Sequence, residues 1–598
     1  MAKFNFLALL AVLAGVANAS PHLARSMHVL HRRDSPPGTF VKTGPAPEDQ
    51  VFDLRFALVQ NDFATLEQKL YAVSTPGNAE YGHHPTKEEV EELVRPSPDS
   101  VSALDTWLSS HNLSSQAYSL AGDVRSVSVT VKQANALLGA EYSTFVDQKS
   151  GVRAMRTLSY SIPNELKGHA NVVYPTTSFP APLAGPAKGP ALSKSAATDF
   201  DASNVATAPE SCATSFNPSC AQQMYGIPTR PATQLSNRLG VIGLTSQWIN
   251  DADLQMFLTK YRPDLPASTS YQVVSISGGV NNQSVPGDEA DLDAQYTIGL
   301  ASGVPVEFLT VGKATGDSYD EPFTKMIDGL LNITDLPSVL SISYTLPEVF
   351  TDFATANHVC NGFAQLGARG ISVFVGSGDW GITGREDPNM CRTFTAMAPS
   401  SCPYITSVGG TQDVNPEVAW NEAELDEASG SGFSSFFPIP AYQQADVAAY
   451  QKTLPASYDG LYNKTGRAYP DVSARATLVD FVWQAQYTQI NGTSTATPVL
   501  ASIAALLNDE LVAAGKSPIG FMNPFIYANK DAFNDITSGS NPGCNTNGFP
   551  AIQGWDAVRS VWLCSSLALT LIWMRLQLLK ITGVGTPAYS KLKSALGL

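Results

Sequence analysis

Beyond residue 210 the chain repeats one pattern: a short, nearly unbroken apolar run, an amphipathic stretch, then another apolar run. The apolar runs cover residues 239–244, 271–276, 306–311, 339–343, 371–375 and 404–408, and helical spacing marks residues 288–301 and 355–367 between them. A strand that is apolar on both faces must be covered on both faces, so the pattern predicts a parallel sheet with helices on each side. Ligands in such folds gather beyond the carboxyl ends of the strands, and chemistry is expected in the segments that follow these runs.

The preceding part reads differently. Residues 36–175 form one mixed α/β unit, with strands at 51–60 and 124–132 and helices at 62–73, 86–94 and 100–110. Residues 175–209 are rich in Pro, Ala, Gly and Ser and poor in large apolar side chains, which marks a linker open to proteolysis. The expected boundaries are an N-terminal unit over 20–175, a linker over 176–209 and a larger domain over 210–598. A length of 598 residues and 43% hydrophobic content fit this division and supply a large core.

Residues 1–19 read as a signal peptide: Lys3, an apolar run over 6–16 too short to span a bilayer, and Ala17-Asn18-Ala19 as a cleavage site. The expected location is extracellular, with no membrane association. Sequons at Asn112, Asn282, Asn332 and Asn463 suit glycosylation, whereas the one at Asn491 sits inside a motif too enclosed for it. Seven cysteines cannot all pair within one chain. A net charge of −16 argues against a nucleic-acid partner, because the chain repels phosphate backbones.

The C-terminal region offers few options for nucleophilic catalysis. Asn491-Gly492-Thr493-Ser494 precedes the apolar helical run 499–514, which brings Ser494 to a helix N-terminus where unpaired amides favour an anionic product. Pro498 is expected in the first turn. Read alone, Ser494 is a helix cap as readily as a nucleophile. Of eight histidines only His358 follows the linker, and neither an Asp nor a Gly-rich turn flanks it, so a Ser-His-Asp triad is poorly supported. A carboxylate base is the alternative. Glu289 and Asp293 lie four apart at the start of a helix and share one face with Tyr296 and Leu300. They could equally be acids that favour the helix dipole. Asp379, in Ser377-Gly378-Asp379, follows the run 371–375 and could be an ordinary turn residue. No Asp-Thr-Gly or Asp-Ser-Gly turn occurs, which disfavours a protease built on two catalytic aspartates.

Taken together these segments resemble the sedolisin family, serine-carboxyl peptidases with a subtilisin-like fold. The likeness covers most of the chain. It includes Asn78-Ala79-Glu80-Tyr81-Gly82-His83-His84, residues 88–96 and Trp107-Leu108 in the first unit. In the larger domain it includes Glu289-Ala290-Asp291-Leu292-Asp293-Ala294-Gln295-Tyr296, Ser377-Gly378-Asp379, Pro403-Tyr404, Gly409-Gly410-Thr411, Gly432-Phe433-Ser434, Tyr469-Pro470-Asp471-Val472-Ser473, and Gly492-Thr493-Ser494 with Pro498. The overall look is similar to secreted fungal tripeptidyl peptidases. The resemblance implies an α/β, subtilisin-like parallel sheet preceded by an α+β, ferredoxin-like prodomain that aids folding and inhibits the enzyme until the linker is cut. It implies Ser494 as nucleophile, Glu289 as general base, Asp293 orienting Glu289, and Asp379 as a protonated donor to the oxyanion. The substrates would be peptides and proteins shortened from a free N-terminus. An endopeptidase of the same family, or an inactive secreted binding protein, is the alternative. The chemistry suits acid: near pH 4 a histidine of pKa ~6.5 is mostly protonated, whereas a glutamate of pKa ~4.3 is about a third ionised. Trp380 departs from the family, which commonly has a small residue there.

The resemblance also implies one structural Ca²⁺, held by carboxylates Asp535 and Asp556 and by carbonyls of Ile536, Ile552 and Gly554, an all-oxygen set suited to a hard cation. From sequence alone the two aspartates are ordinary turn acids. After Asp556 the family passes within a few residues to Thr582-Gly583-Val584-Gly585-Thr586-Pro587. Here residues 559–581 intervene, strongly apolar and containing Cys564. Their apolar part, 561–574, is too short for a membrane span. Removing 559–581 restores family register and leaves six cysteines, so the segment is expected to be translated intron, the alternative being a genuine surface insertion.

Overall fold

A computed structural model describes residues 26–180, 187–188, 209–312, 322–384, 391–422, 426–550, 554–556 and 583–598. The segment read as a signal peptide, most of the linker, and residues 559–581 lie outside the described residues.

The first unit is built on an antiparallel sheet of β1 (Val51–Leu58), β2 (Gln116–Ala117), β3 (Val124–Thr130) and β4 (Ala170–Tyr174), in the order β2-β3-β1-β4. Its helices are α1 (Phe63–Ser74), α2 (Lys87–Val94), α3 (Pro98–Ser110) and α4 (Val131–Leu138). Side-chain caps set their starts. Asp62 caps α1, Thr86 and Glu89 form a capping box on α2, and Ser97 caps α3 with Pro98 in its first turn. A second capping box, Thr130 with Gln133, opens α4 and ends the strand at residue 130, two residues earlier than the pattern predicts.

The larger domain carries an eight-stranded sheet. Its parallel strands are β6 (Leu239–Gly243), β7 (Gln272–Ile276), β8 (Val306–Val311), β9 (Val339–Ile342), β10 (Ser372–Gly376), β11 (Thr406–Gln412) and β13 (Val472–Arg475), in the order β7-β8-β6-β9-β10-β11-β13. The short β12 (Val418–Ala419) pairs antiparallel with β11. Each predicted strand is present within a few residues. Alternate side chains feed two cores: Leu239, Val241 and Phe308 enter one, and Ile242, Leu309 and Leu340 enter the other. Helices α5 (Asp251–Tyr261), α6 (Asp288–Leu300) and α9 (Thr493–Ala513) cover the first face, while α7 (Pro322–Asn332) and α8 (Phe353–Ala368) cover the second. The hairpin β14 (Val479–Trp483) and β15 (Gln486–Asn491) leads directly into α9.

Helix α9 begins at Thr493, so Pro498 is its sixth residue and not, as expected, a first-turn residue. The proline has no N–H to offer the carbonyl of Ser494, one turn earlier. Although α9 is long and apolar enough to cross a membrane, most of it is buried within the domain.

The first unit seats on α7 and α8. Leu66, Leu70, Val90 and Val94 share a core with Val359, Phe363 and Leu366. Tyr404 donates to Glu67 at 2.7 Å. Tyr174 donates to buried Asp328 at 2.7 Å, and His358 lies 2.8 Å from the other oxygen of that carboxylate. His358 is thus a structural residue of the interface. Thr177 and Ser178 bond the N-cap of α8, Asp352, so the segment expected to be linker begins with residues already buried. Disulfides join Cys212 to Cys220, Cys360 to Cys402 and Cys391 to Cys544, using the six cysteines other than Cys564.

Candidate active site

Glu289, Asp293, Asp379 and Ser494 converge above the carboxyl ends of β9 and β10, and all four are almost completely buried. Ser494 is the second residue of α9, and its hydroxyl donates to Glu289 Oε2 at 3.2 Å. The same hydroxyl lies 3.5 Å from the carbonyl of Ser343, just past β9. Glu289 occupies the first turn of α6, and its backbone N–H is held by Gln247 Oε1 at 3.2 Å. One turn on, Asp293 Oδ1 accepts the Ser343 hydroxyl at 2.8 Å.

The far face of α6 fixes this geometry. Gln295 donates to the carbonyl of Val482 at 2.7 Å and accepts its N–H at 2.8 Å, clamping α6 to β14. Tyr296 donates to the carbonyls of Phe216 and Asp480, both at 2.9 Å. Since β14 pairs with β15 and β15 runs into α9, the helix carrying Glu289 is tied to the strand that delivers Ser494.

Burial, and then the neighbouring Asp293, push the Glu289 carboxyl well above the usual range, while the Ser494 hydroxyl draws it partly back. Burial also raises Asp293, offset in part by the Ser343 hydroxyl. Two buried carboxyls one turn apart resist joint ionisation, so the pair retains a proton. The free-residue value therefore does not describe Glu289. The pair carries at most one negative charge over a wide range of pH.

Asp379 follows β10 on the tight Ser377-Gly378 turn, where Gly378 has φ +105°. Its Oδ1 accepts the N–H of Thr493 at 2.7 Å and the Thr493 hydroxyl at 2.9 Å. Trp380 is half-buried and bridges to Ala428. Beyond it, Glu422 and Glu427 face one another across a short antiparallel strand pair, and Glu427 is pushed up to about 7, chiefly by burial. Asn491 is buried and donates to Glu422 at 3.0 Å. Backbone of the intervening segment reaches this point: β5 (Ala187–Lys188) pairs antiparallel with β15, Ala187 opposite Asn491.

Ser343, Thr493 and Gln295 were not singled out as functional in the sequence. Gln295 and Thr493 stand in the sequence only as members of family-like signatures, and the one signal for Ser343 is its position at a strand's carboxyl end.

The expected cation ligands fall near the C-terminus. Gly554 N–H donates to Asp535 Oδ2 at 3.4 Å, which brings the two ligand segments together, and Asp556 is fully buried. Ile552 lies outside the described residues. No group of three or more His, Cys, Asp or Glu gathers in metal-binding geometry among the described residues. A cation here would depend on two carboxylates and on backbone carbonyls, including those of Ile536 and Gly554. That hard-oxygen set fits Ca²⁺, and a cation beside Asp556 would compensate the cost of burying its charge.

Residues 39–179 match the family model for the pro-kumamolisin activation domain, and residues 272–515 match that for the subtilase family. The chain is 33% identical over 607 residues to the tripeptidyl-peptidase SED2 of Arthroderma otae, covering 98% of each. It is 30% identical over 627 residues to the probable tripeptidyl-peptidase SED4 of Trichophyton verrucosum, covering 99% of each. Among solved structures it is similar to Pseudomonas sedolisin, a serine-carboxyl proteinase, with 21% identity and a TM-score of 0.49, covering 64% of this chain and 98% of that one.

Proposed function

The chain belongs to the sedolisin family of serine-carboxyl peptidases, and on that premise we propose that it is a secreted acid tripeptidyl peptidase made as a zymogen. The observation that carries the mechanism is the 3.2 Å hydrogen bond from the Ser494 hydroxyl to Glu289. Ser494 attacks the scissile carbonyl as Glu289 takes its proton, and Glu289 then delivers that proton to the leaving amine. Asp293 shares the single negative charge of the pair with Glu289 and orients it. Asp379, protonated, donates to the oxyanion that develops at the carbonyl. Water, activated by Glu289, releases the acyl group from Ser494. Acid pH keeps Asp379 protonated, and the alkaline limb of activity reports the loss of that proton.

Release of tripeptides is supported by the two relatives whose names carry that activity and to which this chain is similar end to end. The zymogen reading is supported by the activation-domain match, by the seat of the first unit on α7 and α8, and by the pairing of Ala187–Lys188 with β15 beside Ser494. We place one structural Ca²⁺ at Asp535, Asp556 and the carbonyls of Ile536, Ile552 and Gly554. When bound it would supply positive charge to buried Asp556 and half-buried Asp535. Chelation is expected to lower the melting temperature, and an unchanged melt would remove the ion from the account.

The deciding experiment is cleavage from pH 3 to 7 of a tripeptide reporter with a free amine and of its N-blocked counterpart. Cleavage of the free form alone supports the tripeptidyl peptidase. Equal cleavage of both indicates an endopeptidase, and cleavage of neither by mature protein indicates a binding protein.

A further inference from the structure

We infer that Thr493 is a positioning residue that decides which oxygen of Asp379 carries the proton; the inference rests on the reading of Asp379 as the oxyanion donor. The hydrogen-bond directions follow from which groups can only donate. Gly378 N–H lies 3.1 Å from Thr493 Oγ1, and an N–H cannot accept, so the hydroxyl oxygen of Thr493 is the acceptor there. The threonine's own proton is then directed to Asp379 Oδ1, 2.9 Å away. The same Oδ1 accepts the backbone N–H of Thr493 at 2.7 Å. The hydroxyl oxygen of a carboxylic acid is a poor acceptor, so a short N–H bond together with an O–H bond identifies Oδ1 as the carbonyl oxygen. The acid proton therefore resides on Oδ2. Both residues are about 2% exposed, so water does not compete for these bonds. Gly376 keeps the arrangement open, because a Cβ there would sit 3.2 Å from Thr493 Oγ1.

The consequence is a preset donor. Without the Thr493 hydroxyl only the backbone N–H of residue 493 would hold the carbonyl oxygen, so the carboxyl could more readily turn its protonated oxygen towards the N-terminus of α9, leaving an acceptor where a donor is required. Two bonds to the carbonyl oxygen also polarise the acid and make its O–H a stronger donor. Among the described residues, Glu289 on α6 and Glu427 on the strand at 427–428 both interact with Asp379, and both disfavour a second negative charge. Thr493 acts in the opposite sense on ionisation, since donors to a carboxyl oxygen stabilise the anion. Its removal is expected to weaken the donor and to raise the pH at which Asp379 loses its proton.

The test compares Thr493→Val, Thr493→Ser, Asp379→Ala and the double variant Thr493→Val/Asp379→Ala. All are prepared as the full proenzyme, converted to mature enzyme, checked by thermal melt and assayed for kcat and KM from pH 3 to 7. For Thr493→Val, kcat is expected to fall about 10–100-fold with KM within about twofold, and the alkaline limb is expected to move up by about half a pH unit or more. Thr493→Ser should restore both, and the valine change should add little once Asp379 is gone. If Thr493→Val does not fold, Thr493→Ala carries the same expectation. A fall in kcat with an unmoved limb, or an undiminished valine effect without Asp379, would overturn the inference and leave the role of Asp379 standing. Near-parental kcat in Asp379→Ala would instead overturn that role, and the inference with it.

Discussion

Glu289 and Asp293 sit one turn apart on a single helix, fully buried, and each accepts a hydrogen bond from a different serine hydroxyl: Ser494 for Glu289 and Ser343 for Asp293. The bond from Ser343 stabilises negative charge on Asp293, and the carbonyl of the same residue, just past β9, lies 3.5 Å from the Ser494 hydroxyl. Neither carboxyl can be described by its own titration, because the charge of one sets the proton affinity of the other.

Replacing Asp293 with Asn removes a charge that raises Glu289. Glu289 then ionises at lower pH, so the acid limb of kcat/KM moves to lower pH while kcat falls through lost orientation. A pH–rate profile of Asp293→Asn against the parent checks this. An acid limb that stays in place would show that Asp293 does not tune the base.

Asp291, on the same helix, is pushed up to about 9, first by burial, with Asp253 adding to the effect. It is a carboxyl whose folded-state proton affinity exceeds its unfolded one. Its contribution to stability is fully present below about pH 4 and is lost as pH rises towards 9. Asp291→Asn should match the parent at pH 4 and exceed it by ~1–3 kcal/mol at pH 7. Denaturant melts at the two pH values decide, and a variant that is no more stable at pH 7 would show that Asp291 carries no such penalty.

The seat of the first unit contains a histidine held between two glycines. His84 lies 3.1 Å from the carbonyl of Pro518, and a Cβ on Gly370 or Gly520 would fall 2.7 Å or 2.5 Å from its ring. Burial lowers its proton affinity. Docking is therefore supported above about pH 6.5 and is weakened as pH falls through the lowered value. In the Ser494→Ala proenzyme, Gly520→Ala should expose the linker to an added protease at pH 7 about as readily as the unmodified seat does at pH 4. Equal resistance of both proteins at pH 7 would dissociate His84 from zymogen closure.

Much of the sheet was legible because strands buried on both faces read as unbroken apolar runs, and 306–311 was read to the residue. The residues that converge on Ser494 stood out in the sequence because Glu289 and Asp293 keep helical spacing and Ser494 keeps its glycine turn. The start of α9 was not legible, since a proline at 498 looks like a helix opening when the residues before it are read alone. Ser343, Thr493 and Gln295 were hidden for a different reason. Their partners, Asp293, Asp379 and Val482, lie far away in sequence, and only the closed fold brings each pair together.

The ends of the undescribed segment 557–582 meet, with Gly583 N–H donating to the Asp556 carbonyl at 3.3 Å. A chain lacking 559–581 should therefore close without strain, retain activity and melt at least as high as the full chain. Peptide mapping of the protein purified from its native source is expected to recover nothing from this segment, and one internal peptide would establish it as a genuine insertion.

The proton taken by Glu289 is best tested by kcat/KM of Glu289→Gln at the pH optimum, measured beside Ser494→Ala. Glutamine keeps the shape of the side chain but cannot hold the proton. Both variants should fall by about 10³-fold or more, to a common residual level, because the two residues act as one unit. A Glu289→Gln enzyme that keeps more than about a tenth of parental kcat/KM while Ser494→Ala is dead would mean that another group deprotonates the serine.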